Sequence, residues 1–490
     1  MSLNRSSSSL TVATLRDAAA LSMTGVLAKA MGLIVTVLVA RFHGPEGLGT
    51  FALLLSVTLL LEQASRFGVP ELSIRAAGAR PDLAGSHWRS GLRAVFVTAA
   101  LPTVGLVLTA MLATRLAENR YALLLMAAGM PLAAVAGVGQ SVLQARGRAV
   151  YVTSVSFAAR AASLIALVAL LSAGMGIIAA FIARVVFEGI MALCFAVSLR
   201  ALPVVHAAVQ CRRRVLQRAL PFAIGRILTE ANLRTPLLWV SSVFAMSQVG
   251  IFDSADRVGL AFQAMAGAGV VALIPVFSRS AEAGDPRSST LIGYSLKYTS
   301  LFVSAGAYVL AAFAGPIMVA LYGPGFAKAA DVLPLLLLAQ SLTSADAVMR
   351  QALFAHGREY AIIGTGSVAL AIKVALIAAL SSLLGLPGAA LGVLLSAAAT
   401  FAIDLWLAQR AGLSLDAGRF VVRPVLCVVA AFVALEVSSA RWPVLAFLVG
   451  LVAFLIAAAI LRVFPNEERR FVLKVLKLDR RTHAGSDEEQ

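Results

Sequence analysis

Charged residues are scarce in this chain: they make up 13% of its 490 residues, whereas 60% of the residues are apolar. An ordinary soluble domain carries about 25% charged residues, so a soluble protein built around a single core is excluded. A membrane-spanning helix with its connection uses about 35 residues. The chain therefore has room for about 14 crossings and for almost no globular domain.

Cysteine and histidine are also rare, with three and five copies. Cys194 and Cys427 lie inside apolar runs and Cys211 lies in a basic stretch, which argues against a disulfide framework. The histidines show no metal-ligand spacing, so we predict no metal site. No GxxxxGK[ST] phosphate loop occurs, so ATP hydrolysis by this chain is not expected. We expect no cofactor.

Acidic residues are outnumbered, with 24 Asp and Glu against 41 Lys and Arg, and the formal charge is +17. In a soluble protein this excess would suggest nucleic acid. In a membrane protein it mostly reports loops that are held on the cytoplasmic side, so we predict no nucleic-acid partner.

Apolar runs between breakers predict fourteen helices. They lie at residues 18–41, 48–67, 91–114, 121–144, 151–173, 176–199, 220–245, 255–277, 294–314, 329–355, 360–384, 388–410, 420–437 and 442–463. Lys and Arg residues outside mid-helix positions fall very unevenly on the two sides of these helices, with 27 on one side and 6 on the other. Short cytoplasmic loops retain cations, so both termini are predicted to be cytoplasmic.

An internal repeat supports this count. The segment 143–148 recurs as 353–358, and both copies precede an apolar helix, while residues 48–51 correspond to residues 249–252. The prediction is an all-α polytopic membrane protein with two pseudo-symmetric six-helix lobes and two C-terminal helices. Its parts are an N-lobe at 1–203, a basic cytoplasmic linker at 204–218, a C-lobe at 219–412, helices 13 and 14 at 413–465, and a basic amphipathic cytoplasmic tail at 466–490.

Several short motifs resemble those of one transporter family. Residues 41–52, Arg-Phe-His-Gly-Pro-Glu-Gly-Leu-Gly-Thr-Phe-Ala, resemble the A-R-x-x-G-P-x-x-x-G-x-F/Y junction of Wzx-type oligosaccharide flippases in the multidrug/oligosaccharidyl-lipid/polysaccharide exporter superfamily. Further similar segments are Arg66-Phe67-Gly68 with Arg75, and residues 250–257, 275–279, 321–326 and 355–358. Each motif alone is weak, but six of them occur in order over essentially the whole chain.

The resemblance implies a flippase of the bacterial inner membrane that is not an enzyme. Such proteins move an undecaprenyl-diphosphate-linked sugar unit to the periplasmic leaflet for O-antigen, capsule or exopolysaccharide assembly. Two lobes would form a V around a cavity that opens to each side in turn. The implied partners are the lipid-linked glycan, membrane lipids, and polymerase and chain-length proteins.

Three alternatives remain. A multidrug exporter of the same superfamily would need an acidic, aromatic cavity for organic cations, whereas the embedded charges of this chain are basic on balance. A membrane glycan polymerase or ligase would usually need a sizeable extramembrane domain, and the outer loops here are short. A lipid II flippase is close in mechanism, but the motifs resemble the oligosaccharide branch more.

Charges inside the predicted helices are costly, about 2.5 to 3.5 kcal/mol each at the bilayer centre, and should face a cavity or a partner. The cations are Lys29, Arg66, Arg160, Arg184, Arg226, Arg234, Arg350 and Lys373, and the acids are Glu62, Glu188, Glu230, Asp346, Asp404 and Glu436. Spacing of four residues predicts the pairs Glu62–Arg66, Arg184–Glu188, Arg226–Glu230, Glu230–Arg234 and Asp346–Arg350. Cations remain in excess, and a buried unpaired cation needs an anion.

Arg226, Glu230 and Arg234 form a stripe on one helix in which two cations share one acid. Arginine suits bidentate contact with phosphate, so we predict that this stripe holds the diphosphate of the substrate. The predicted substrate-binding residues are Lys29, Arg66, Arg226, Glu230, Arg234 and Arg257.

Carboxylates near the membrane midplane are the residue type that carries H⁺ or Na⁺. We therefore predict coupling-ion or gating roles for Glu62, Asp346, Arg350 and Asp404, and the carboxylates of Glu188 and Glu230 are further candidates for binding the coupling cation. Each of these acids has an arginine four residues away, except Asp404.

Overall fold

The computed structural model describes residues 3–112, 119–205, 210–271, 288–355, 359–410, 412–413, 416, 418–437 and 443–463. Over these ranges the chain is almost entirely helical and contains no strand. The predicted tail at 466–490 and the motif at 275–279 lie outside the described residues, as do residues 356–358 of the last motif.

The helices follow one another with short connections. They are α1 (Leu3–Arg66), α2 (Val69–Ala79), α3 (Ala84–Leu112), α4 (Arg120–Ala145), α5 (Ala149–Ser172), α6 (Ile178–Arg200), α7 (Arg212–Val243), α8 (Met246–Val271), α9 (Ser288–Ala312), α10 (Ala314–Tyr322), α11 (Leu333–Ala355), α12 (Glu359–Arg410), α13 (Arg423–Val437) and α14 (Pro443–Ile460). A 3₁₀ segment, Pro324–Asp331, connects α10 to α11.

Helices α1 and α12 each consist of two helices joined at a glycine. Gly44 has φ 66° and Gly385 has φ 67°, a conformation that L-residues with a Cβ rarely adopt. Pro45 follows Gly44 at once, and a proline is tolerated in the first turn of the helix that restarts there. The two halves of each element correspond to two of the predicted helices.

Seven helical segments of the described chain are long and apolar enough to span a membrane, and two bent helix pairs raise this number to nine. Charged residues interrupt α7 and α8, and α14 is short. The all-α polytopic architecture is therefore confirmed, whereas the number of fourteen crossings stays a prediction.

The basic linker is shorter than the sequence predicts. Helix α7 begins at Arg212, so the last seven residues of the predicted linker are helical, because nothing between Arg212 and Arg218 breaks a helix. The first half of α7 also packs on the N-terminal lobe, since Val215 and Ala219 belong to its buried core with Phe195 of α6.

The two lobes share one apolar core at the end of the bundle where α1 turns, which we call the Gly44 end. Phe51 and Phe181 of the first lobe belong to the same buried cluster as Phe252 and Phe326 of the second lobe. At the opposite end, the Arg66 end, each lobe has a buried cluster of its own. Among the described residues, the two lobes thus share one apolar core at the Gly44 end and have separate apolar cores at the Arg66 end.

Two glycines of the repeat make the closest contact at the Gly44 end. A Cβ on Gly49 would lie 1.9 Å from the carbonyl oxygen of Met246, and a Cβ on Gly250 would lie 1.9 Å from that of Pro45. The two positions are equivalent in the repeat, so α1 and α8 meet backbone to backbone in a symmetric manner. Only glycine permits this approach, which explains why both copies of the segment carry it.

The last two helices pack against the C-terminal lobe. Tyr308 of α9 donates a hydrogen bond to the carbonyl oxygen of Phe447 in α14 at 2.6 Å, and its ring stacks on the Phe447 ring. Cys427 of α13 is buried in a small cluster with Leu301.

Candidate substrate site

A buried charge cluster lies inside the N-terminal lobe, and we call it the arginine cluster: Glu62, Arg66, Arg160, Arg184 and Glu188. Glu62 is almost fully buried and pairs with both Arg66, one turn along α1, and Arg184 of α6. The predicted Glu62–Arg66 pair is therefore present, and the structure adds a second cation to it.

The rest of the arginine cluster lies on α5 and α6. Arg184 also contacts Glu188 at 3.5 Å, as the spacing of four residues predicts. The guanidinium of Arg160 lies 4.6 Å above the ring centre of Phe187, and a flat cation is well suited to that contact. Two arginines therefore pair with two glutamates, and Arg160 is a third cation beside them, so the named residues include one more cation than acid.

Helix α7 brings a further pair towards this cluster. Arg234 Nε lies 2.7 Å from Glu230 Oε1, and both side chains are 13% exposed. Arg234 is close enough to Glu62 for their charges to interact, and Glu230 is close enough to Arg184. The arginine cluster therefore extends across the boundary between the lobes.

Arg226 does not join this stripe, which corrects the sequence prediction. Its Nε lies 3.1 Å from Glu71 Oε1 of α2, and the Arg226 side chain is 47% exposed. The predicted sharing of Glu230 by two arginines is thus wrong for Arg226, because a tertiary partner on α2 replaces the intrahelical one. The Arg226–Glu71 pair instead joins α7 to the N-terminal lobe near the Arg66 end.

Two lysines face the C-terminal lobe. Lys29 of α1 is exposed and donates to Gln263 Oε1 of α8 at 3.5 Å, and it lies within electrostatic reach of Asp256. Lys373 of α12 donates to the main-chain oxygen of Asn232 at 3.0 Å. Lys29 therefore bridges the lobes at the depth of the embedded charges.

Arg257 lies inside α8, where its Nε is 3.2 Å from Asp253 Oδ1. Asp253 is 2% exposed. Asp256 lies three residues after Asp253 on the same helix. Arg257 is thus compensated within its own helix, and the structure does not bring it into contact with the arginine cluster.

Several arginine N–H groups remain unused among the described residues. Arg66 Nε, Arg160 Nε and one terminal nitrogen of Arg257 are buried and have no hydrogen-bond partner there. Leaving such a buried donor without an acceptor costs about 1 to 3 kcal/mol.

The C-terminal lobe contains a cluster of the opposite sign, which we call the aspartate cluster: Asp346 and Arg350 of α11 and Asp404 of α12. Arg350 Nε lies 2.8 Å from Asp346 Oδ2 and 2.9 Å from Asp404 Oδ2. The structure confirms the predicted Asp346–Arg350 pair and corrects the view that Asp404 has no arginine partner. One guanidinium therefore contacts two buried carboxylates.

The sequence prediction missed part of this site. It selected Lys29, Arg66, Glu230 and Arg234, which the structure places around the lobe boundary, but it did not select Arg160 or Arg184. Both were visible as embedded cations, and their excess over the nearby acids was the available signal. Glu71 gave no signal, since it lies outside the predicted helices.

Two helical lobes that share a core at one end, with buried charges in each, define an all-α polytopic membrane fold. Solved structures of several transporters have the same fold. The chain is similar to "Lipid II flippase MurJ, inward closed conformation" with a TM-score of 0.73 and 14% identity, over 90% of this chain and 98% of that chain. It is also similar to an inward-facing multidrug resistance MATE family transporter of the MOP superfamily, with a TM-score of 0.65 and 16% identity over 78% and 94% of the two chains.

A third similar structure is an outward-facing MATE family transporter, with a TM-score of 0.62 and 16% identity over 81% of this chain and 94% of that chain. No curated protein sequence matches the chain. The family model described as "Polysaccharide biosynthesis protein" matches residues 14–281, more than half of the chain. The chain therefore belongs to the polysaccharide biosynthesis protein family, and it has the fold of the MurJ and MATE transporters.

Proposed function

We propose that the protein flips undecaprenyl-diphosphate-linked oligosaccharide units across the bacterial inner membrane, for O-antigen, capsule or exopolysaccharide assembly. Membership in the polysaccharide biosynthesis family supports a glycan as the cargo, and the fold supports a transporter rather than an enzyme. The family and fold alone do not distinguish this substrate from lipid II or a drug, so the choice depends on the chemistry of the site.

The observation that carries the proposal is the excess of arginine inside the N-terminal lobe, next to its boundary with the second lobe. Arg66, Arg160 and Arg184 outnumber the two glutamates beside them, and two of their buried N–H groups have no acceptor in the described chain. A diphosphate diester supplies two negative charges and several oxygens, and guanidinium groups bind such oxygens in pairs. An organic cation would meet repulsion at the same place, which disfavours a multidrug exporter.

The residues around the lobe boundary then take distinct roles. Arg66, Arg184 and Arg234 hold the diphosphate from the two sides of the boundary, and Lys29 approaches it from α1. Glu230 offsets part of the positive charge of Arg234, which keeps the attraction between Arg234 and the diphosphate weak enough for release. Glu62 holds Arg66 and Arg184 in place while the site is exposed to either side.

The Arg66 end opens for loading and the Gly44 end opens for release. The shared core and the Gly49–Gly250 contact close the Gly44 end, and a lipid-linked substrate would arrive from the opposite side. The cation asymmetry of the sequence assigns the Arg66 end to the cytoplasm, with both termini there. Transport would be driven by an H⁺ or Na⁺ gradient, the membrane potential or consumption of the product by a polymerase.

A lipid II flippase is the second candidate, because the MurJ structure matches 90% of this chain and its lipid substrate also carries a diphosphate. The arginine cluster would serve either lipid. The two functions differ only in the sugar that the cavity accepts.

The test is transport in proteoliposomes loaded with an undecaprenyl-diphosphate-linked oligosaccharide, read as protection of the sugar from an added glycosidase. We expect wild-type protein to move the diphosphate-linked substrate at least about tenfold faster than its monophosphate-linked analogue. Arg234→Ala should lose transport and Arg234→Lys should retain part of it, since one buried phosphate contact is worth about 2 to 5 kcal/mol.

Arg75→Ala is the matched control, because Arg75 is an exposed cation of α2 outside the site. Parallel vesicles with lipid II and with a fluorescent organic cation separate the alternatives. Equal transport of monophosphate and diphosphate lipids, or full transport by Arg234→Ala, would contradict the proposal.

A further inference from the structure

A proline inside α7 interrupts the hydrogen bonds of that helix. Pro236 has no N–H, so it cannot make the α-helical hydrogen bond to the main-chain oxygen of Asn232, four residues earlier. Inside a membrane such an oxygen must be satisfied by neighbouring protein groups. Lys373 of α12 is the donor, because its Nζ lies 3.0 Å from the main-chain oxygen of Asn232. A side chain of one helix thus completes the hydrogen bonding of another.

The position of Lys373 excludes the two ordinary roles of a lysine in a membrane helix. It lies fourteen residues after Glu359, where α12 begins, and twelve before the turn at Gly385, so about 18 Å of helix separates it from the nearer end. That distance is too long for the side chain to reach an interface. Lys373 also makes no ion pair within the described part of the chain, although Asp256 attracts its charge from further away.

Asn232 joins the same turn of α7 to α12 a second time. Its side-chain Nδ2 donates to the main-chain oxygen of Gly366 at 3.0 Å. Gly366 lies seven residues before Lys373, which is about two turns, so both lie on one face of α12. Further along α7, Trp239 Nε1 donates to Ser381 Oγ at 3.2 Å. Three hydrogen bonds therefore join this part of α7 to α12.

The turn that these bonds hold also carries the charged pair at the lobe boundary. Glu230 and Arg234 lie two residues before and two residues after Asn232, which places them on almost the opposite side of α7. Arg234 contacts Glu230 at 2.7 Å and is within electrostatic reach of Glu62 in the N-terminal lobe. The contacts of α7 with α12 therefore decide where Arg234 lies.

We propose that Lys373 is a positioning residue. Its ammonium group takes the place of the N–H that Pro236 lacks, and it holds the turn of α7 that places Arg234 at the lobe boundary. The role of Arg234 in binding a diphosphate rests on the proposed function, whereas the link between Lys373 and Pro236 does not.

A double-mutant cycle measures this link by thermal unfolding of the purified full-length protein in detergent, read by tryptophan fluorescence, without any glycan lipid. Lys373→Met removes the donor and also removes a costly embedded charge, so its effect alone combines two contributions of opposite sign. In the Pro236→Ala background the N–H of residue 236 can bond to Asn232 itself. Relative to its effect in that background, Lys373→Met should lower the unfolding temperature of the native sequence by at least about 2 °C.

Pro221→Ala is the matched control, because Pro221 lies in the same helix and is exposed. Among the described residues, no side chain donates to the main-chain oxygen of Gln217, four residues before it. Lys373→Met should therefore have the same effect with and without Pro221→Ala. An equal effect of Lys373→Met with and without Pro236→Ala would overturn the inference.

The fluorescence of Trp239 tests the positioning, again without glycan. In a variant in which Trp239 is the only tryptophan, Lys373→Met should shift the emission maximum, because the contact of α7 with α12 weakens around the indole. Lys373→Arg should not shift it, since a guanidinium N–H can also donate to Asn232, and Pro236→Ala should suppress the shift. An unchanged spectrum in Lys373→Met would show that Lys373 does not position α7.

Transport in proteoliposomes connects this position with the substrate. Lys373→Met should lose most of the preference for diphosphate-linked over monophosphate-linked lipid, and Lys373→Arg should retain most of it. Adding Pro236→Ala to Lys373→Met should restore part of the preference. A full preference in Lys373→Met would contradict the positioning role. If wild-type protein itself shows no preference, the proposed function fails, while the unfolding and fluorescence measurements still decide whether Lys373 holds α7.

Discussion

The two lobes contain buried charge clusters of similar construction and opposite sign. In the N-terminal lobe three arginines lie beside two glutamates, and in the C-terminal lobe two aspartates share one arginine. The arginine cluster has two intrahelical ion pairs and the aspartate cluster has one, and each cluster has one ion pair between two helices. The repeat therefore preserved the framework of the lobes, while the charged side chains differ: arginine is in excess in one cluster and aspartate in the other.

The largest effect should follow from removing the central cation of the arginine cluster. Arg184→Ala leaves Glu188 without its partner and Glu62 with only one, and breaking such a buried pair costs about 3 to 5 kcal/mol. We expect transport of the diphosphate-linked glycan to fall by at least about a hundredfold and the unfolding temperature to decrease. Transport in proteoliposomes and tryptophan fluorescence measure the two effects.

Arg184→Lys is the control for this prediction, because it keeps the charge and loses only the bidentate geometry. It should restore stability more fully than transport. If Arg184→Lys and Arg184→Ala were equally stable and equally active, the arginine cluster would have no role in anion binding, and the contrast between the lobes would lose its functional meaning.

An intermediate effect is expected where the lobes meet. Gly250→Ala places a Cβ 1.9 Å from the carbonyl oxygen of Pro45, so α1 and α8 must move apart. We expect the Gly44 end to open and a cysteine placed at Phe42, already exposed there, to react faster with a water-soluble maleimide from the outer side. This prediction tests whether the contact between α1 and α8 couples the two lobes, each of which carries one of the charge clusters.

Gly259→Ala, on the same helix, provides the comparison. Its added Cβ would meet only the side chain of Gln340 at 3.3 Å, which can shift by a few tenths of an ångström. A cysteine placed at Phe42 should react with the maleimide at the same rate in the Gly259→Ala variant as in the protein with Gly259. Equal reactivity in Gly250→Ala would show that the glycine contact does not hold the end closed.

The smallest effect belongs to the ion pair outside both clusters. Arg226 and Glu71 are 47% and 34% exposed, and an exposed pair contributes about 0 to 1 kcal/mol. Arg226→Ala should therefore change stability by less than about 1 kcal/mol and transport by less than about threefold. A loss of transport as large as that of Arg234→Ala would restore Arg226 to the substrate site.

Most of the helical framework could be predicted from the sequence because long apolar runs fix the position of a membrane helix. Helix α5 was predicted at 151–173 and is found at Ala149–Ser172, and α6 was predicted at 176–199 and is found at Ile178–Arg200. Helix α2 was missed. It is a short amphipathic segment that begins after Gly68 in a left-handed conformation, and it carries no apolar run.

The candidate site was predictable only where partners lie on one helix. Four of the five predicted pairs are present because residues four apart share a helix face. The contacts of Glu62 with Arg184, and of Asp404 with Arg350, join different helices and depend on packing that one sequence does not reveal. The same limit explains the wrong partner for Arg226.

The Gly49–Gly250 contact has a mechanical consequence. Helices α1 and α8 touch there through backbone atoms, with no flexible side chain between them, so this point can act as a pivot between the lobes. Gln263 lies thirteen residues along α8 from Gly250, a lever arm of about 20 Å at 1.5 Å per residue. A rocking motion of about 10° around the pivot would carry Gln263 through roughly 3 Å while Gly250 stays in place. That displacement is close to the 3.5 Å between Lys29 Nζ and Gln263 Oε1. A small rotation at the Gly44 end would therefore break this contact between the lobes.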